Sequence, residues 1–311
     1  MHHFSDDDVR RALSWQGVLK ALEEGFRHKD SFQIPERIML ESHGNAYLTM
    51  PCLDTDGWFG IKQVSIIPDN SKYDLPTVQA HYSLSNLQGT PVVSASATLL
   101  TQMRTAGTSA LAARYLAPQD ARTLLVIGTG SLAPWQAEAH AQVRDYTEIL
   151  VWGRDSAKTQ VTRDDIATRL PQTPVEAVDA TQSALATACA QADVISIATT
   201  ATIPIVKADW LTEDKPRHLD LVGAFTPAMA EVDADTVKRA AVYIDDMAGA
   251  RSEAGDLIQA CDTGWSFDEV IAELAELVQG KPQQNHSLTL FKSVGLALED
   301  LQTAKLLVTS G

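Results

Sequence analysis

The chain is poor in several things, and each shortage excludes a class of protein. Cysteine is scarce: among 311 residues there are three, Cys52, Cys189 and Cys261. They are odd in number and far apart. They offer no disulfide framework and no paired spacing for zinc, and they suit a reducing compartment. Basic residues fall short of acidic ones, 25 against 40, which leaves a formal net charge of -15. So acidic a surface repels a phosphate backbone, so no nucleic-acid partner is expected. Long apolar runs are missing; none approaches the ~20 residues of a bilayer span. No membrane association is expected. At the N-terminus, Asp6, Asp7 and Asp8 stand where a secretory leader needs basic and then apolar residues. The expectation is a soluble cytoplasmic protein. Aromatic residues make up only 6%, which lends no special support to an aromatic ligand pocket.

What is present is a change of texture along the chain. Ser5 followed by Asp8 reads as a helix N-cap with an acidic first turn. Trp15, Val18, Leu19, Leu22 and Phe26 recur at the spacing of one buried helical face, which predicts a helix over 15–28. Short segments follow at 46–50, 58–67, 78–84 and 92–97, separated by Gly, Pro and Asn, and they read as strands joined by turns. A helix rich in small residues is expected over 101–116, ended by Pro118. From Thr123 the pattern becomes strand–helix–strand. Strands are expected at 123–127, 148–152, 194–198, 219–222 and 242–245, with helices such as 133–143 and 184–191 between them. Apolar strands alternating with helices mean a parallel sheet covered on both faces. A last helix is expected over 291–307. The fold class is therefore α/β: a Rossmann-type doubly wound sheet inserted into a second, α+β domain for dimerisation and substrate. The expected limits are 117–289 for the Rossmann domain and 1–116 with 290–311 for the other.

The segment Leu124-Leu125-Val126-Ile127-Gly128-Thr129-Gly130-Ser131-Leu132-Ala133 is a buried strand running into Gly-x-Gly-x-x-Ala. Gly128 permits the tight turn, Gly130 lets the backbone approach a pyrophosphate, and Ala133 is small where helix and strand pack closely. The phosphates would sit on a helix N-terminus, whose N–H groups and dipole favour anions. Such a motif alone is weak. Here it follows a strand, opens a helix and leads to a second strand. Gly128, Thr129, Gly130, Ser131 and Leu132 are the expected cofactor loop, with Thr199, Val222 and Gly223 beside it at later strand ends. Pro134 costs little in a first helical turn.

The end of the second strand chooses the dinucleotide. An NAD site places an acid there for the ribose 2′-hydroxyl. Here Gly153 holds that position and Arg154 follows, with Asp155 and Lys158 near. A guanidinium suits a 2′-phosphate, so NADP(H) is preferred and NAD(H) remains open through Asp155.

At this point the chain resembles the ornithine cyclodeaminase/mu-crystallin superfamily over nearly its whole length. The marks are Gly60-Ile61-Lys62, Leu100-Thr101-Gln102-Met103-Arg104-Thr105-Ala106 and Ser109-Ala110-Leu111-Ala112-Ala113. They continue with the Gly128 loop, with Asp220-Leu221-Val222-Gly223-Ala224-Phe225-Thr226-Pro227, and with Glu253-Ala254-Gly255-Asp256-Leu257. The resemblance implies a homodimer joined through the non-Rossmann domains. It also implies an active site in a cleft between domains, where a small amino or imino acid faces the nicotinamide. Members cyclise ornithine, reduce cyclic ketimines, dehydrate 3-hydroxyproline or, in mu-crystallins, bind thyroid hormone. Fold alone cannot choose among these.

The resemblance assigns Arg104 to the substrate carboxylate, and a planar guanidinium suits that grip. Near a helix start a cation gains nothing from the dipole, which favours function over a surface ion pair. Lys62 matches the family's strand lysine, able to hold the carboxylate or assist proton transfer, or else to snorkel outward. Arg37 matches a second carboxylate-binding arginine. Ornithine cyclodeaminases carry an acid where this chain has Gly223, Ala224 and Phe225, so cyclodeamination is disfavoured. Gly-Ala-Phe-Thr-Pro is similar instead to ketimine reductases and hydroxyproline dehydratases. Ser94-Ala95-Ser96 is another departure, since relatives often have Asp-Gly near Ser96-Ala97, and the Ser96 hydroxyl is a candidate proton carrier or an ordinary strand residue. His81, His140 and His218 read as structural. Asp245, Asp246, Glu253 and Asp256 read as acids bonding backbone N–H groups, not as a metal site. The expected activity is reduction of Δ1-pyrroline-2-carboxylate or its six-membered homologue by NADPH. The rivals are dehydration of cis-3-hydroxy-L-proline and mu-crystallin-type binding without turnover.

Overall fold

The computed structural model describes residues 2–212, 214–281 and 286–308. Its contacts divide the chain into two units, 1–105 with 296–311 and 106–295. One division falls inside a single helix, Ala97–Leu116.

The first unit is built on a seven-stranded sheet. Its strands are β1 (His2–Phe4), β2 (Phe32–Gln33), β3 (Ile38–Ser42), β4 (Asn45–Asp54), β5 (Trp58–Ile66), β6 (Val78–Ser85) and β7 (Pro91–Ser96). The order is β1-β7-β6-β5-β4-β2, with β3 pairing β4, and β1 runs parallel to β7 while the rest are antiparallel. The N-terminal region holds two helices, α1 (Asp6–Ala12) and α2 (Trp15–Arg27). Ser5 and Asp8 form a capping box for α1, and the Ser14 hydroxyl accepts from Gly17 N–H to start α2. Trp15, Val18, Leu19, Leu22 and Phe26 are all buried, each worth roughly 1.5–3 kcal/mol of apolar transfer. Helix α2 packs on the C-terminal helix Ala297–Val308, so closely that a Cβ at Gly25 would lie 2.6 Å from Gln302.

The second unit holds an eight-stranded sheet in the order β10-β9-β8-β11-β12-β15-β13-β14, parallel at every pairing. The strands are β8 (Thr123–Ile127), β9 (Glu148–Trp152), β10 (Val175–Ala177), β11 (Val194–Ile197), β12 (Arg217–Leu221), β13 (Ala241–Ile244), β14 (Ala272–Glu273) and β15 (Leu288–Lys292). This is the Rossmann-type doubly wound sheet. Helix α3 (Ala97–Leu116) precedes β8, α4 (Ala133–His140) follows it, α5 (Ser156–Arg169) follows β9 and α6 (Gln182–Gln191) precedes β11. Strands β11, β12, β13 and β15 are buried at every residue, as expected of strands covered on both faces.

Strand β15 corrects the sequence reading. A helix was expected over 291–307, but residues 288–292 form a strand between β12 and β13, and the helix begins at Ala297. A short apolar run does not tell a buried strand from a buried helix by periodicity, and Leu-Thr-Leu-Phe is such a run. Among the described residues no helix is long and apolar enough to cross a membrane.

Candidate functional site

In the first unit the sequence brings four charged side chains into one buried cluster. Alternation along β5 places Lys62 on the face it shares with its cross-strand partners Met50 and Tyr82. The Lys62 side chain is 3% exposed, and its Nζ stands 2.7 Å from Oδ2 of Asp300. Arg104, on α3, donates through Nε to Asp300 Oδ1 at 3.0 Å and through Nη1 to Glu299 Oε2 at 2.6 Å. Glu299 and Asp300 lie in the first turn of the C-terminal helix, where carboxylates gain from the dipole. The other Glu299 oxygen accepts from Leu296 N–H at 3.0 Å. Two cations and two anions thus lock one another out of water.

Burial first, and then the Arg104 charge, pull the Lys62 ammonium down to about 8, while Asp300 and Glu299 oppose that pull. For Arg104 the balance is reversed: burial lowers its pKa, but the two carboxylates outweigh burial and raise it above the usual range. Lys62 is therefore the cation that can release a proton near neutral pH, and Arg104 stays charged. Burial pushes the Tyr82 hydroxyl well above its ordinary value and the Cys52 thiol up to about 12.

In the second unit the corresponding geometry is a backbone shelf. Gly128 has φ +129, and a Cβ there would lie 2.4 Å from the Ala198 carbonyl oxygen, so any side chain is barred by strain and by contact. Gly128 N–H donates to Trp152 O at 2.9 Å, which closes the turn between two strand ends. Gly130 faces open space, with nothing within 4 Å of the Cβ position. Helix α4 follows Leu132 without a side-chain cap: Ala133 N–H turns back to Gly130 O at 3.1 Å, Pro134 has no N–H, and Trp135 N–H donates to Leu132 O at 3.0 Å. Thr199 and Gly223 complete the shelf on a buried carboxylate. Glu231 accepts from Thr199 N–H (2.7 Å), Thr199 Oγ1 (2.9 Å), Gly223 N–H (2.7 Å) and Ala224 N–H (3.3 Å). Burial pushes the Glu231 carboxyl up to about 7, against Lys292 and these donors. A tight glycine turn with open space above it fits the diphosphate of a dinucleotide.

A sequence model of the ornithine cyclodeaminase/mu-crystallin family matches residues 4–310. The chain belongs to this family. It is 30% identical over 318 residues to a Δ1-pyrroline-2-carboxylate reductase of Colwellia psychrerythraea, covering 98% of this chain and 97% of that one. Among solved structures it resembles the Thermococcus litoralis Δ1-pyrroline-2-carboxylate reductase in complex with NADH and L-proline. That match has a TM-score of 0.91 and 30% identity and covers 100% of this chain and 97% of the other. An archaeal alanine dehydrogenase dimer with bound NAD matches at TM-score 0.89 and 26% identity, over 99% and 95% of the two chains.

Within this family member, the expected site residues fare differently. Lys62 and Arg104 are brought together. Arg37 is half-buried on the connection from β2 to β3 and is not one of the four clustered residues. Ser96 is not brought to the clamp. It pairs with His81, next in sequence to the Lys62 partner Tyr82, so β7 turns Ser94 and Ser96 to the opposite face of the sheet. There the Ser94 hydroxyl bonds His3 Nδ1 and His81 Nε2, both at 3.0 Å. His140 and Ser196 share Asp220 Oδ2 in the second unit, and His218 Nδ1 lies 2.9 Å from Thr289 Oγ1. Asp256 accepts from Glu231 N–H and Val232 N–H, and Asp245 from Val294 and Gly295 N–H. Val222 is buried at the end of β12, and Arg154 is exposed after β9. Residues 223–225 carry no acid, and the Glu231 oxygens behind them are taken by backbone donors and the Thr199 hydroxyl.

Sequence reasoning did not single out Glu299, Asp300, Glu231 or Lys292. The helix expected over 291–307 puts Glu299 and Asp300 near its middle, where an acidic pair reads as a solvated face, and nothing local says that it is buried. Lys292, with no exposure, lies 3.3 Å from Asp256 Oδ2, and its strand was read as helix.

Proposed function

We propose that this protein reduces a cyclic imino acid, Δ1-pyrroline-2-carboxylate or Δ1-piperideine-2-carboxylate, to the cyclic amino acid. The observation that carries the reading is the buried pair of cations, Lys62 and Arg104, fixed on one carboxylate in a chain that also has a dinucleotide shelf. A reduced nicotinamide dinucleotide, when bound, supplies the hydride. Gly128 to Leu132 would hold its diphosphate, and Thr199, Val222 and Gly223 its nicotinamide end. Arg104, with Arg37 as a second guanidinium, grips the substrate carboxylate and fixes the ring plane. Such orientation can supply ~7–11 kcal/mol of a barrier in favourable cases. Lys62 delivers a proton to the ring nitrogen: its N–H bond breaks, the nitrogen lone pair becomes the bonding pair to that proton, C2 becomes electrophilic, and the C=N π pair would return to nitrogen as its lone pair when hydride arrives. Hydride adds at C2, and Lys62 is reprotonated from water.

Arg154 supports NADP(H) as the preferred dinucleotide. Its neighbour Asp155 is engaged as the N-cap of α5, where Oδ1 accepts from Ala157 and Lys158 N–H. The dehydratase reading needs a hydroxyl at the clamp, and the candidate Ser96 lies on the other sheet face. A homodimer is supported by the exposed apolar strand Ile38, Met39 and Leu40 of the first unit. The three free thiols and a nicotinamide reaction suit the cytoplasm.

The test is loss of nicotinamide absorbance with Δ1-pyrroline-2-carboxylate, NADPH run beside NADH. Rapid oxidation is expected, faster with NADPH. Arg154→Ala should cut the NADPH preference by about ten-fold, the worth of a charge-assisted hydrogen-bond pair. A flat trace with both cofactors and both ring sizes would sink the reductase reading.

A further inference from the structure

The clamp presents a chemical puzzle. A site that must attract a carboxylate buries two carboxylates of its own beside its cations. Each weakens the pull on an incoming anion, so each needs another use. Asp300 touches both cations, Lys62 Nζ at 2.7 Å and Arg104 Nε at 3.0 Å, one on each of its oxygens. A planar carboxylate bound through both oxygens sets the spacing of its two partners. Glu299 touches only Arg104, at 2.6 Å, and its second oxygen is tied to Leu296 N–H.

We propose that Asp300 is a positioning residue that couples the two working cations: it ties Lys62 to Arg104 and keeps Lys62 supplied with its proton, while Glu299 steadies Arg104 alone. The proposal deepens the imine-reductase reading and rests on it. The groups facing Lys62 can be counted by element. Helix α3 presents Arg104, the C-terminal helix presents Asp300 and Glu299, β6 presents Tyr82, and β4 presents Met50. Nearby Asp54 is paired with Lys305 at 2.7 Å. Tyr82 and Cys52 are held neutral by burial, and Arg104 is held charged. Lys62 is thus the member that changes charge in mildly alkaline solution, where burial and Arg104 have brought it to about 8. Asp300 works against that fall. Without its charge Lys62 would lose its proton at lower pH, and a reaction needing the ammonium would lose its alkaline limb earlier.

The experiment uses full-length protein with 13C-labelled lysine side chains, and the Lys62 ε-carbon resonance is followed against pH without cofactor or substrate. Asp300→Asn should move the Lys62 titration to lower pH by about one unit or more. Glu299→Gln should move it the same way by less, and Asp300→Glu should restore most of the wild-type value. The alkaline limb of kcat/KM for Δ1-pyrroline-2-carboxylate should move in step. A merely structural acid would lower activity without shifting either titration. A folded Asp300→Asn protein with Lys62 and the alkaline limb unmoved overturns the proposal. If Asp300→Asn does not fold, Glu299→Gln decides instead: a Lys62 shift there of about one unit or more would assign the coupling to Glu299 and overturn the proposal. Shifts as expected in a protein that reduces no cyclic imine would refute the reductase reading and leave the coupling standing.

Discussion

In the second unit the groups offered to a dinucleotide are mostly backbone, and Gly128 to Leu132 are consecutive in the chain. In the first unit the groups proposed for a substrate are side chains, Lys62 on a strand and Arg104 on a helix, held by two acids at 299 and 300 on another helix. The shelf depends on what is absent, namely a Cβ at Gly128 and Gly130. The clamp depends on what is present, four charges that satisfy one another only as a set. Parts of the first kind tolerate change until a side chain intrudes. Parts of the second kind fail together, because removing one charge strands the others in a medium that cannot solvate them.

The largest expected effect follows from that contrast. Arg104→Ala leaves Glu299 and Asp300 buried without their shared cation, which should cost about 3–5 kcal/mol of stability. It should also lower kcat/KM by about a thousand-fold, by loss of a bidentate carboxylate grip and of orientation. Thermal melting and steady-state kinetics on the same preparation measure both. Arg104→Lys should rescue the melt better than the rate, since an ammonium replaces charge but not the planar fork. Undiminished turnover in Arg104→Ala would mean that the substrate carboxylate is held elsewhere.

The shelf should break differently. Gly130→Val places a side chain in open space, so the melting temperature should stay near that of the wild type. The same side chain stands where the diphosphate must approach, and dinucleotide affinity should fall about ten-fold or more with the lost charge-assisted hydrogen bonds. Titration of dinucleotide fluorescence on folded protein reads this directly. Equal affinity would remove Gly130 from the cofactor loop. A smaller effect is expected where the clamp leans on a glycine of its own. A Cβ at Gly60 would lie 1.9 Å from the Tyr82 hydroxyl oxygen and 2.9 Å from Leu301. Gly60→Ala should cost about 1–3 kcal/mol by overpacking, read in chemical denaturation, with kcat/KM lowered only through the displaced neighbour of Lys62.

The same contrast explains what could be read without coordinates. The shelf was legible because its cause is local: a strand, a glycine turn and a helix start within ten letters, Leu124 to Ala133. Lys62 and Arg104 were legible only through the resemblance of their surroundings, since a lysine in a strand and an arginine in a helix have many uses. Glu299 and Asp300 were not legible, because the partners that bury them lie some two hundred positions away, 195 and 196 from Arg104. Strand β15 was missed because it is central, between β12 and β13, and buried on both faces, which leaves no alternation in its own letters.

Ser96 supplies the smallest predicted effect, and it tests whether the clamp is complete as the four charges describe it. The residue is half-buried at the end of β7, on the sheet face away from Lys62, opposite His81. Ser96→Ala removes a hydroxyl that makes no contact with the clamp. Its effect on cyclic imine reduction should stay within about two-fold, the usual size for a change away from buried networks. A dehydratase would need a proton carrier beside the ring hydroxyl, and for that reaction the same substitution would be severe. Measuring both substrates on one Ser96→Ala preparation therefore separates the two chemistries. If reduction collapses while the Lys62 titration is unchanged, a hydroxyl on the far face belongs to the site, and the division of the first unit into a working face and a supporting face is wrong.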